Sequence, residues 1–93
     1  MKILSMTEVQ ERPTVSHELI REFKEGYEIK FYKTYELTPE TDINPANLMH
    51  ICLEMRVSVD EYYWLENHSR ENINKFNDRL GEVLGQYIRR YLL

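Results

Sequence analysis

Three stretches of the chain open in the same way, with an apolar residue, a serine, and a second apolar residue four positions beyond the serine. They are Leu4-Ser5…Val9, Val15-Ser16…Ile20 and Val57-Ser58…Tyr62. A serine hydroxyl satisfies an orphan N–H of a first helical turn, and the flanking apolar pair fixes the entry of the chain. Glu8 and Glu61 stand where a carboxylate reaches back to the cap N–H, so two of the three segments carry both halves of a capping box. The pattern predicts a first helix over about Met6 to Glu11, stopped by Pro13. A second runs from Ser16 to about Glu25, with Leu19, Ile20 and Phe23 on one face and Gly26 as its C-cap.

Residues 27 to 37 change character. Aromatic and β-branched side chains dominate, and Ile29, Phe31, Tyr35 and Leu37 share one face, as in a short hairpin or a single extended strand. Thr38-Pro39-Glu40 and Asn44-Pro45 each pair a capping residue with a proline at a first helical position. The following stretch reads two ways. Leu48, Ile51, Cys52 and Met55 recur at helical spacing, whereas Ile51, Leu53, Met55, Val57 and Val59 alternate as in a half-buried strand. Helix is the expectation, because Pro45 opens the segment, the Ser58–Glu61 box interrupts it, and a strand from 48 to 64 would be unusually long. The rival is an α+β domain of three or four strands. From about Ser69 to Leu93 the stripe Ile73, Phe76, Leu80, Val83, Leu84, Tyr87, Ile88 and Tyr91 predicts a long amphipathic helix. Gly81 and Gly85, four apart on it, would let a second helix approach closely.

Ninety-three residues with 42% hydrophobic content amount to one domain. Cys52 has no mate, which removes disulfides and cysteine zinc sites and points to a reducing compartment. No signal peptide and no apolar run of membrane-spanning length is visible, so the expected location is cytoplasmic. His17, His50 and His68 lie far apart, and three glycines cannot build a phosphate loop. The chain therefore reads as non-enzymatic, with no cofactor and no metal.

Two short capped helices followed by an extended segment have the spacing of a helix-turn-helix with a wing. In the run T-E-V…V-S…L-I-R-E-F…G-x-E-I…Y-E-L-T-P-E…L-M-H-I…M-R-V-S-V-D-E, over residues 4 to 66, the order of parts resembles the MerR-type winged helix-turn-helix superfamily. The short length resembles its chaperone-modulator (CbpM) branch. That resemblance implies binding to the J-domain of a DnaJ-like co-chaperone and interference with its access to DnaK. The expected fold is thus mostly α, a winged helix-turn-helix with a short β hairpin and a long C-terminal helix. Residues 1–43 would form the helix-turn-helix and wing, and 44–93 a helical dimerisation or partner region.

Charge bears on the choice of partner. The formal net charge is -4, and residues 1–43 hold six Lys or Arg against nine Asp or Glu. Glu18, Glu22 and Glu25 on a recognition helix would meet phosphates with the wrong sign, although Arg21 suits a DNA reader. A basic protein partner is the expectation, met by Glu18, Arg21, Glu22 and Glu25 together with Tyr63 and Trp64 of an aromatic cluster. The alternatives are a DNA-binding regulator or excisionase that places residues 16–25 in the major groove, and a phage-type α+β inhibitor if residues 48–64 are strand. The C-terminal stripe would serve as internal core or as a homodimer seam, and Arg89 and Arg90 complement the end of that helix.

Overall fold

The computed structural model of the chain describes residues 1–36 and 48–91. It is α+β, not mostly α. The strands are β1 (Lys2–Val9), β2 (His17–Phe23), β3 (Gly26–Glu36) and β4 (Leu48–Ser58), and the helices are α1 (Val59–Glu66) and α2 (Arg70–Tyr91). All neighbours in the sheet are antiparallel, in the order β1-β4-β3-β2.

The winged helix-turn-helix is overturned at its first two elements. Residues 2–9 pair with β4 from Lys2↔Arg56 to Val9↔His50, and residues 17–23 pair with β3 from His17↔Phe31 to Phe23↔Gly26. Helices of one or two turns nucleate poorly in isolation. Two eleven-residue strands, β3 and β4, present unpaired N–H and C=O groups along both flanks, and the short segments gain more by joining those edges.

β4 resolves the double reading of residues 48–58 in favour of the strand. Ile51, Leu53, Met55 and Val57 are buried toward the helices, while His50, Glu54 and Arg56 lie on the other face. Helical spacing lost because Cys52 is covered on that opposite face, in register with Thr7 and Tyr32, and so belongs to a different layer from Ile51. The Ser58 box is real and marks where β4 stops. Glu61 N–H donates to Ser58 Oγ at 3.1 Å, and Ser58 N–H donates to Glu61 Oε1 at 2.7 Å. Ser69 Oγ caps α2 by accepting from Asn72 N–H at 3.0 Å.

The stripe of α2 packs inward. Phe76, Leu80 and Leu84 are buried with Ile3, Ile29, Phe31, Leu65 and the β4 residues, and Val83, Tyr87 and Ile88 border them. The sheet thus consumes most of the apolar surface that a helical dimer seam would need. Gly81 faces open space and Gly85 has only the Arg89 side chain nearby, so neither glycine seats a second helix here. Gly26 does not end a helix. It opens β3 after the two-residue turn Lys24-Glu25, and a Cβ there would collide with the Val57 carbonyl of β4. The predicted helix starts at Thr38-Pro39-Glu40 and Asn44-Pro45 lie outside the described residues, as do Leu37, Leu92 and Leu93.

One carboxylate ties three elements together. Glu61, 1% exposed, receives the Ser58 N–H, the amino group of Met1 at 3.2 Å and Arg79 of α2 at 3.2 Å. Burial alone would raise its pKa, but these bonds outweigh burial and hold it below its ordinary value of 4.5. A depressed folded pKa contributes stability that is full above the unfolded value and is lost as pH falls through the folded one.

Two stability predictions follow from this core. Leu53→Ala, at a site with no exposed surface, is expected to cost about 3 kcal/mol in urea unfolding, with the slope unchanged. Glu61→Gln is expected to lower stability at neutral pH and to flatten the loss seen on acidification below about pH 4.5. An unaltered acid profile would show that Glu61 does not carry that dependence.

Candidate interaction surface at the β2 margin

β2 is an edge strand, and the helices do not reach fully across it. α1 packs over β3 and β4, and α2 reaches β1, so β2 projects beyond the helical layer. The only side-chain bridge between β2 and α1 among the described residues runs through His17. Its Nε2 lies 2.9 Å from Glu66 Oε1, its Nδ1 lies 2.8 Å from Ser16 Oγ, and its ring meets Tyr62 edge-on at 6.1 Å. Tyr62 in turn stacks on Tyr27 of β3 at 4.1 Å. Glu66 sits below its ordinary pKa because it accepts bonds from His17 and Tyr62.

This overhang leaves a shelf whose floor is β2 and whose wall is the outer side of α1. Leu19 and Ile20 on the floor are 50% and 42% exposed, and Val59 and Tyr63 on the wall are 55% and 57% exposed. Val15, at the entry to β2, is exposed as well. Five of the eight exposed large apolar side chains of the described residues thus belong to β2, its entry and α1, where isolated ones would be unremarked. A separate groove of about 220 Å³ lies between Ser16, Phe31, Trp64, His68 and Ile73. Exposed carboxylates flank the shelf: Glu22 on the helix side of β2, Glu25 in the turn, and Asp60 and Glu66 on α1, whereas Glu18 lies on the opposite face of the sheet.

Of the residues singled out from sequence, Glu22 lies on the helix side of β2, Glu25 in the turn and Tyr63 on α1. Glu18 and Arg21 lie on the face of β2 turned away from the helices, and none of the five sits on a recognition helix. Trp64 does not present itself in the same way. It packs on the core, and its ring carries Arg79 at 5.1 Å and Lys75 at 5.9 Å, joining α1 to α2. Arg21 is partly engaged. Its Nε donates to Glu28 at 2.9 Å on the face of the sheet away from the helices.

Sequence reasoning missed the cluster around that bond. Glu28 is buried, Arg56 approaches it at 3.6 Å, and the guanidinium groups of Arg21 and Arg56 lie 4.7 and 4.8 Å from the Phe23 ring. Only the pairings Arg21↔Glu28↔Arg56 reveal it, and register is not visible in one sequence. On the same face, Thr34 Oγ1 and His50 Nδ1 lie 2.9 Å apart, and burial together with Glu18 raises the Tyr32 pKa.

No three side chains of metal-binding type converge among the described residues, and no described helix is long and apolar enough to cross a membrane. Burial raises the Cys52 thiol above its ordinary value of 9.0 and keeps it protonated at neutral pH. No family model, no curated protein and no solved structure matches the chain. Cys52 is expected to react with a thiol reagent at pH 8 at least about tenfold more slowly in the folded protein than in urea, because thiolate and access are both withheld. Equal rates would place the thiol at the surface.

Proposed function

We propose that the protein is a small, non-enzymatic, stoichiometric binding protein that holds a protein partner against the β2 margin. The observation that carries this reading is that exposed Leu19 and Ile20 of β2 and exposed Val59 and Tyr63 of α1 belong to two elements tied together by His17 and Glu66. Four exposed carboxylates, Glu22, Glu25, Asp60 and Glu66, lie on the same elements and the turn beside them. Apolar groups supply affinity once desolvated, and tyrosine is a frequent anchor. The acidic rim favours a partner whose apolar contact is flanked by Lys or Arg, and it disfavours phosphate backbones.

The strand at residues 48–58 speaks for the α+β inhibitor class over a DNA-reading regulator, whose reading helix would occupy residues that here form β2. The J-domain partner was implied only by the resemblance to a winged helix-turn-helix family, and the chain is α+β in place of that mostly α fold. The partner is therefore named by its chemistry alone.

The test is capture of a partner by the tagged full chain, followed by affinity measurement with variants. Tyr63→Ala and Leu19→Ala are expected to weaken binding at least about tenfold, and Glu22→Lys to weaken it with a reduced salt dependence. His50→Ala, on the opposite face, leaves affinity unchanged. Wild-type affinity in all the margin variants, or recovery of nucleic acid alone, would overturn the proposal.

A further inference from the structure

The outer edge of β2 has no strand beside it among the described residues, although its inner edge is paired along its length. Such an edge is a template for another strand unless it is blunted by charge, proline or distortion. β2 contains no proline, and its charges and its distortion point to a particular occupant.

In a regular strand, positions separated by an odd number of residues face opposite sides of the sheet. β2 breaks that rule at Ile20. Its register runs Glu18↔Lys30 and Leu19↔Ile29, then shifts to Arg21↔Glu28 and Glu22↔Tyr27. The extra residue puts Glu18 and Arg21 on the same face, the one turned away from the helices. It likewise puts His17 and Glu22 together on the helix side.

We propose that two copies of this chain pair β2 with β2, antiparallel about a two-fold axis normal to the sheet, so that the outer edges close into one eight-stranded sheet. The shifted phase allows a register in which Glu18 and Arg21, and likewise His17 and Glu22, face each other on a common side of the sheet. Glu18 stands opposite Arg21 of the second copy, Arg21 opposite its Glu18, and Leu19 opposite Ile20. Glu22 stands opposite His17, whose ring nitrogens stay with Ser16 and Glu66, so the Glu18–Arg21 pairs carry the charge complementarity. A register one residue away would set Glu18 against Glu22, with like charges and mismatched faces. Arg21 has the capacity for this second bond, since only its Nε is given to Glu28 and the side chain is 57% exposed. A contact confined to strand edges and four apolar side chains is small, and it places the association in the micromolar range or weaker. This goes beyond the partner-binding reading, because it uses the backbone edge of β2. It leaves Val59 and Tyr63 free but covers Leu19 and Ile20, so self-association competes with the partner for those two residues.

The register is tested by charge exchange. Sedimentation equilibrium from about 10 µM to 1 mM is expected to show the wild type passing from the 11.3 kDa chain toward twice that mass. Glu18→Arg alone and Arg21→Glu alone each weaken self-association at least about tenfold. Their equimolar mixture restores it, because both cross-strand pairs then join Arg to Glu. Hydrogen exchange on the wild type gives a measurement free of variant folding, with amide protection in β2 that rises with protein concentration. A wild type that stays monomeric to 1 mM with unchanged β2 exchange would overturn the proposal, and so would a mixture that fails to associate while each variant remains folded. Partner binding by a monomeric variant is read separately, so the two proposals fail independently.

Discussion

The structure depends on the burial of one face of β4. Ile51, Leu53, Met55 and Val57 lie between β1 and β3 in the sheet and beneath Phe76, Leu80 and Leu84 of α2. At roughly 25 cal/mol per Å² of apolar surface removed from water, such a central strand supplies more of the driving force than either edge strand can. With β4 and β3 in place, the flanking segments have only to satisfy backbone groups along an existing edge. This explains how polar, helix-compatible sequences such as Lys2–Val9 and His17–Phe23 come to be strands.

The same hierarchy explains what could be read in advance. The stripe of α2 and the Ser58–Glu61 box are local signals, and each lies where a helix starts or runs. The alternation of residues 51–57 was equally local but competed with Cys52 at helical spacing. That competition could be decided only by knowing that Cys52 is covered from the other side of the sheet. Ser5 and Ser16 carried the same cap grammar as Ser58, yet their segments are strands, because a cap is weak against an available edge. Fold class was therefore lost on two short segments whose outcome depends on neighbours distant in sequence.

For the candidate surface, residue type was more legible than geometry. The acidic character of residues 18–25 and the exposure of Tyr63 survive the change of secondary structure, because both follow from residues that no core position requires. Trp64 was drawn into packing by two cations of α2, which lie at positions that a single-sequence reading does not connect to it. The His17–Glu66 bridge and the Arg21–Glu28–Arg56 cluster join residues 49 and up to 35 positions apart in sequence, the latter through strand pairing, and no local pattern announces either.

Gly26 lies beside Ser58 across the β3–β4 pair, with its missing side chain under the Val57 carbonyl. The tip of the β2–β3 hairpin therefore rests on the residue whose hydroxyl starts α1. Any displacement of that hairpin, whether by a bound molecule or by a bulkier residue at position 26, would bear directly on the first turn of the helix that carries Val59 and Tyr63. Floor and wall of the shelf are thus mechanically joined at one corner, so an event felt by the strand reaches the helix without crossing the core.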